Sequence, residues 1–149
     1  MPDHISMNYS AITDLLIIGT NMCCQKHFDE QLLQKGVVAD ISLESEKLDH
    51  PWGIKYFLWL PTVDHTAPTM EALAMGVQML RFCMENSIKV YIHCKNGHGR
   101  APTVVAAYLI STGMSVKDAI KTIAKQRREI HIEPVQEARL KQFAEAYRW

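Results

Sequence analysis

The sequence predicts an α/β fold with a central, mostly parallel sheet flanked by helices. Three observations predict it. Short runs rich in Val, Ile and Leu stand at 12–18, 37–43, 54–60 and 89–93, the lengths of buried strands. Segments with helical spacing of apolar residues lie between and after them, and dominate the second half. The chain has 149 residues, 48% apolar and 21% charged, which suits one compact domain over residues 1–149 with its own core.

In chain order, Ile12 to Ile18 reads as a strand ended by Gly19. Phe28 to Lys35 reads as a helix with Leu32 and Leu33 inward and Gly36 just past its end. Val37 to Leu43 is a second strand, favoured by its β-branched residues. Ile54 to Leu60 is a third, stopped by Pro61. Pro61 to Pro68 is a loop, because each proline pushes the residue before it away from helix. Thr69 caps a long helix to about Asn86, with Leu73, Val77 and Leu80 on one face. Lys89 to His93 is a short strand, followed by a loop and a helix from about Arg100 to Thr112, which Gly113 ends. Ser115 with Asp118 resembles a capping box that opens a helix to about Arg128. Pro134 suits the first position of a last helix.

Composition narrows the function. Sixteen basic residues balance sixteen acidic ones, so the basic excess that a nucleic-acid binder needs is missing. Seven histidines make the chain cationic below about pH 6.5. The longest apolar runs, Leu15 to Ile18 and Val104 to Ile110, fall far short of the roughly 20 residues of a membrane span. Met1-Pro2-Asp3-His4 does not begin a signal peptide. Four cysteines, Cys23, Cys24, Cys83 and Cys94, are too few for a disulfide scaffold, so a reducing cytoplasm is the expected location. Oligomeric state is not legible.

One stretch carries chemistry: Val90-Tyr91-Ile92-His93-Cys94-Lys95-Asn96-Gly97-His98-Gly99-Arg100. A buried strand ends, a loop with two glycines follows, and a helix begins, which is where α/β sheets bind ligands. Successive loop amides from Lys95 to Gly99 form a nest for one tetrahedral anion, reinforced by the helix N-terminus. Arg100 offers a planar fork to two of its oxygens. These donors favour the thiolate of Cys94 beneath the anion, a nucleophile aimed at phosphorus.

The run His93-Cys94-x5-Arg100 resembles the signature of the cysteine-dependent protein tyrosine phosphatases. The following helix, Ala101 to Leu109, the start from Ile12 to Gly19 and the tail from Arg127 to Gln136 resemble the dual-specificity branch. The resemblance spans roughly Ile12 to Phe143. It implies a protein tyrosine phosphatase-like fold and phosphomonoester hydrolysis without cofactor or metal. It also implies a general acid about thirty residues before the cysteine, where Asp64 stands within the Pro61-to-Pro68 loop. The family carries Ser or Thr directly after the arginine; here Ala101 stands there, with Thr103 nearby as a candidate supporting hydroxyl. Slow breakdown of the phosphoenzyme is expected in consequence.

Other residues receive plainer readings. His93 orients the loop by hydrogen bonds. Lys95 and His98 add positive charge at the rim; lipid-phosphatase relatives also carry lysine at the Lys95 position. Asn96 stabilises the loop. Gln136, which family analogy would place on a water, reads as an exposed helix residue, and Arg127 with Arg128 as a solvated helix end. Cys23, Cys24 and His27 read as packing and surface residues, because no second pair of ligands completes a metal set. The expected substrates are phosphotyrosine and phosphoserine/threonine proteins. The alternatives are a phosphoinositide or phospholipid head group, and a catalytically weak phosphate-binding module.

Overall fold

The sheet has five strands: β1 (Tyr9–Ala11), β2 (Leu16–Gly19), β3 (Val37–Glu44), β4 (Tyr56–Thr62) and β5 (Lys89–His93). Their spatial order is β1-β2-β5-β3-β4, and only the β1–β2 pairing is antiparallel. The computed structural model describes residues 6–49 and 51–147; the N-terminal tetrapeptide read above lies outside them. Five α-helices accompany the sheet: α1 (Gln25–Gln31), α2 (Met70–Glu85), α3 (Arg100–Ser111), α4 (Val116–Gln126) and α5 (Pro134–Ala146). The fold is the mostly parallel α/β sheet flanked by helices that the sequence predicts.

Leu16–Ile18 of β2 and Val90–Ile92 of β5 are continuous apolar runs because both faces of these strands are covered. On one face, Leu16, Ile18, Ile41, Val90 and Ile92 join the large core with Leu73, Val77 and Leu80 of α2 and the almost wholly buried α3. On the other, Ile17 and Tyr91 meet Phe28 of α1, Leu32 and Val37. Farther along this second face, alternate residues of β3 (Asp40, Ser42 and Glu44) are polar and fully buried.

Three boundaries differ from the sequence reading. The predicted 12–18 strand is a hairpin: Thr13 Oγ1 accepts from Leu15 and Leu16 N, turning the chain between β1 and β2. The second segment splits into α1 and a 3₁₀ turn at Leu33–Lys35, closed by left-handed Gly36. Pro61 does not stop β4, which runs to Thr62. β4 is an edge strand paired only with β3, so a residue without an N–H fits there. Thr69 and Ser115 cap α2 and α4 through their hydroxyls, and Pro134 opens α5, as the sequence predicts.

Candidate active site

β5 lies between β2 and β3, and Cys94 follows its last residue at the carboxyl end of the sheet. The loop 94–99 turns directly into α3, with Gly99 at the N-cap. Cys94 is buried, and Gly97 N donates to its Sγ at 3.2 Å. Gly97 has φ 70°, and a Cβ there would sit 2.7 Å from the carbonyl oxygen of Gly19, so turn and close approach both require glycine.

Arg100 begins α3 and is 1% exposed. Its Nη1 and Nη2 donate to Glu46 Oε1 and Oε2 at 2.5 and 3.1 Å, and Nη1 also to Thr62 O at 2.8 Å. Burial opposes its charge, but Glu46 and the negative groups around it hold its pKa above the ordinary value. The Arg100 bond lowers the pKa of Glu46 in turn, to about 2. Nε of Arg100 has no hydrogen-bond partner and lies 3.4 Å from Asp64 Oδ1. A buried N–H that makes no hydrogen bond and has only this long ion pair favours an anion beside it.

Asp64 sits on the 61–68 loop with its side chain 45% exposed. Cys94, Arg100 and Asp64 line one cavity of ≈ 170 Å³, together with Asn96, His98 and Gly99 of the loop. Gln136, His65, His131 and Glu133 complete its wall. Lys95 is exposed and does not line the cavity; its carbonyl accepts from Asn21 N at 3.3 Å. His93 is buried, stacks on Tyr91 and shares a 2.8 Å hydrogen bond between Nε2 and Asp40 Oδ1. Burial works against its charge, yet Asp40, with Asp49 and Glu44, raises its pKa above the ordinary imidazole value. Thr103 does not stand in for the missing hydroxyl of Ala101: its Oγ1 donates back to Gly99 O at 2.7 Å.

Two plain readings are corrected. Arg127 is no solvated helix end. It is 1% exposed, and donates to Gly97 O, Asn96 O, Asn8 Oδ1 and Ser10 Oγ, tying the loop to β1 and the segment before it. Arg128 is exposed, as read. Gln136 is 1% exposed rather than a surface residue. Its Oε1 accepts from Glu133 N and its Nε2 donates to Thr66 O. Glu46 was missed altogether, because its partner Arg100 lies 54 residues away and no local pattern marks it.

Among the described residues, two clusters bring ligand-type atoms within 4.8 Å of one another. In the first, Cys24 Sγ accepts from His27 N to cap α1, and Cys23 Sγ lies 3.2 Å from His27 Nδ1. The second is the buried trio Glu44, Asp49 and His93; Lys47 Nζ lies 3.4 Å from Asp49 Oδ1. Among the described residues, no helix is long and apolar enough to cross a membrane.

Comparison with known proteins matches this geometry to a family. Residues 16–146 fit the model of the dual specificity phosphatase catalytic domain. The human protein named phosphatidylglycerophosphatase and protein-tyrosine phosphatase 1 is 46% identical over 88 residues, which cover 58% of this chain and 44% of that protein. The chain thus aligns with less than half the length of this relative. Bovine protein tyrosine phosphatase type IVA 3 is 28% identical over 134 residues, covering 85% of this chain and 76% of that one. The crystal structure of PTPMT1 in complex with PI(5)P superposes with TM-score 0.83 at 31% identity, covering 93% and 95% of the two chains. The chain belongs to the dual-specificity phosphatase family, within the cysteine-dependent protein tyrosine phosphatase superfamily.

Proposed function

We propose that the chain hydrolyses phosphomonoesters through a cysteinyl-phosphate on Cys94. The observation that carries this is the convergence of Cys94, Arg100 and Asp64 on one cavity, where Nε of the buried Arg100 makes no hydrogen bond and faces Asp64 Oδ1 at 3.4 Å. The phosphoryl group sits in the loop of Cys94 to Gly99, bound by its amides and by Nε of Arg100. The Cys94 thiolate attacks phosphorus, forming the S–P bond as the P–O bond to the leaving group breaks. Asp64 gives its proton to the departing oxygen. In the second step the Asp64 carboxylate takes a proton from water, the water oxygen bonds to phosphorus, and the thiolate leaves with the S–P electron pair. Inorganic phosphate is released. Gln136 on the wall has one amide hydrogen beyond its bond to Thr66 with which to orient that water.

The substrate is a phosphotyrosine or phosphoserine/threonine protein, or the head-group phosphate of a phospholipid. The second reading is favoured by a relative named for phosphatidylglycerophosphate and a superposable structure that holds PI(5)P. Assays with aryl phosphates in the presence of chelator test the reaction. Turnover is expected, with inhibition by vanadate and loss in Cys94→Ser. Asp64→Ala should lower kcat/KM for phenyl phosphate by about 10²–10⁴ and that for p-nitrophenyl phosphate far less. Activity that survives Cys94→Ser overturns the mechanism. A panel of phosphopeptides, phosphoinositides and phosphatidylglycerophosphate then separates the substrate classes by kcat/KM.

A further inference from the structure

We infer that Glu133 is a positioning residue for Asp64, holding the acid loop in place through His65. This rests on the reading of Asp64 as the general acid. The 61–68 loop is tied to α5 and the residue that precedes it at three points. Gln136 Nε2 donates to Thr66 O at 3.1 Å and Arg139 Nη1 to Pro68 O at 2.8 Å, which fix the limb after Asp64. The third tie is the one beside the acid: His65 Nδ1 lies 3.1 Å from Glu133 Oε1.

His65 also grips Asp64 directly. Its backbone N–H donates to Asp64 Oδ1 at 2.9 Å, and its Nε2 lies 3.7 Å from Oδ2. Its φ of 64° is left-handed, which a side chain other than glycine adopts only where its surroundings hold it there. The Val63–Thr66 turn holds it from within, Thr66 N and Oγ1 donating to Val63 O at 3.1 and 2.6 Å, and Glu133 holds its side chain from outside. Moving His65 out of that conformation turns the N–H away from Oδ1 and swings Asp64 off the cavity. Glu133 is anchored at the N-cap of α5 by a capping box with Gln136, its backbone N–H donating to Gln136 Oε1 at 2.9 Å. His131 Nε2, 3.6 Å away, is the other imidazole on the same oxygen. The His65–Glu133 pair is exposed, so it adds little to stability and its effect falls on the placement of Asp64.

The test compares leaving groups in Glu133→Ala, Glu133→Asp, His65→Ala and Asp64→Asn. Because Glu133→Ala also removes a helix cap, His65→Ala, which leaves that cap intact, is the second probe. Both alanine variants should lose about tenfold or more in kcat/KM on phenyl phosphate, which reports the step that expels the leaving group, and stay within about threefold on p-nitrophenyl phosphate. Glu133→Asp should recover part of the loss. The double variant should be no worse than His65→Ala, and neither change should matter in the Asp64→Asn background. Equal losses on both substrates, or additive losses in the double variant, overturn the positioning role while Asp64→Asn still shows its leaving-group dependence. If Asp64→Asn itself shows none, the acid reading falls and this inference with it.

Discussion

In the proposed mechanism, Ala101 leaves the sulfur of Cys94 with fewer donors than the second step calls for. Among the described residues, the hydrogen bond to Sγ comes from Gly97 N alone, and the nearby Thr103 hydroxyl is spent on Gly99 O. The first chemical step consumes the thiolate and does not suffer from this. The second expels it, and a hydroxyl donating to sulfur would stabilise the charge that returns there. Breakdown of the phosphoenzyme should therefore limit turnover. Rapid-quench kinetics should show a stoichiometric burst followed by a slow steady state. Ala101→Ser, which adds one oxygen at a fully buried position, should speed the steady state severalfold and shrink the burst. Unchanged kinetics would show that the missing hydroxyl is of no consequence.

Between elements, the loop is held by Arg127, whose four acceptors come from β1, the residues before it and the phosphate loop itself. Lysine keeps the charge but presents a single ammonium, which cannot reach acceptors spread around a planar fork. Arg127→Lys should cost about 2–4 kcal/mol by calorimetry through unmade buried hydrogen bonds. It should also lower kcat/KM with Cys94, Arg100 and Asp64 all intact. Normal stability and activity together would remove the clamp. The same residue shows where sequence reading stops. β5, α2 and α3 were legible because apolar period, caps and the glycine-bearing loop are local signals. The convergence of Cys94, Arg100 and Asp64 followed from spacing within a known pattern. Arg127, Gln136 and Glu46 were not legible. An arginine at a helix end or a glutamine in a first turn looks solvated until partners 30, 70 or 54 residues away close around it. Pro61 misled for a related reason, since only the strand order shows that β4 is an edge.

Across the whole molecule the sheet separates two kinds of interior, and this sets its pH response. One face is apolar under α2 to α5. The other carries the charged layer of Asp40, Glu44, Asp49 and His93, with Glu46 reaching Arg100 at its margin. Glu46 has a folded pKa of about 2 against 4.5 for the free group, so the stability it contributes is present above 4.5 and drains as pH falls toward 2. His93 moves the other way. Against the cost of burial, its acidic neighbours raise it above 6.5, so its contribution is complete below 6.5 and is lost as pH rises through the folded value. Burial first, and then Asp49, raise Glu44 above 4.5, which likewise removes stability as pH rises. Melting temperature should thus peak near pH 4.5 and fall on both sides, on the alkaline side first through Glu44 and above 6.5 through His93 as well. Glu46→Gln should flatten the acid limb alone, because it removes the low-pKa carboxylate. Glu44→Gln should flatten the alkaline limb alone, because its amide can still accept from Asn21 without a charge to bury beside Asp49. Parallel shifts of both limbs in either variant would mean that these carboxylates are not the groups that set the pH response.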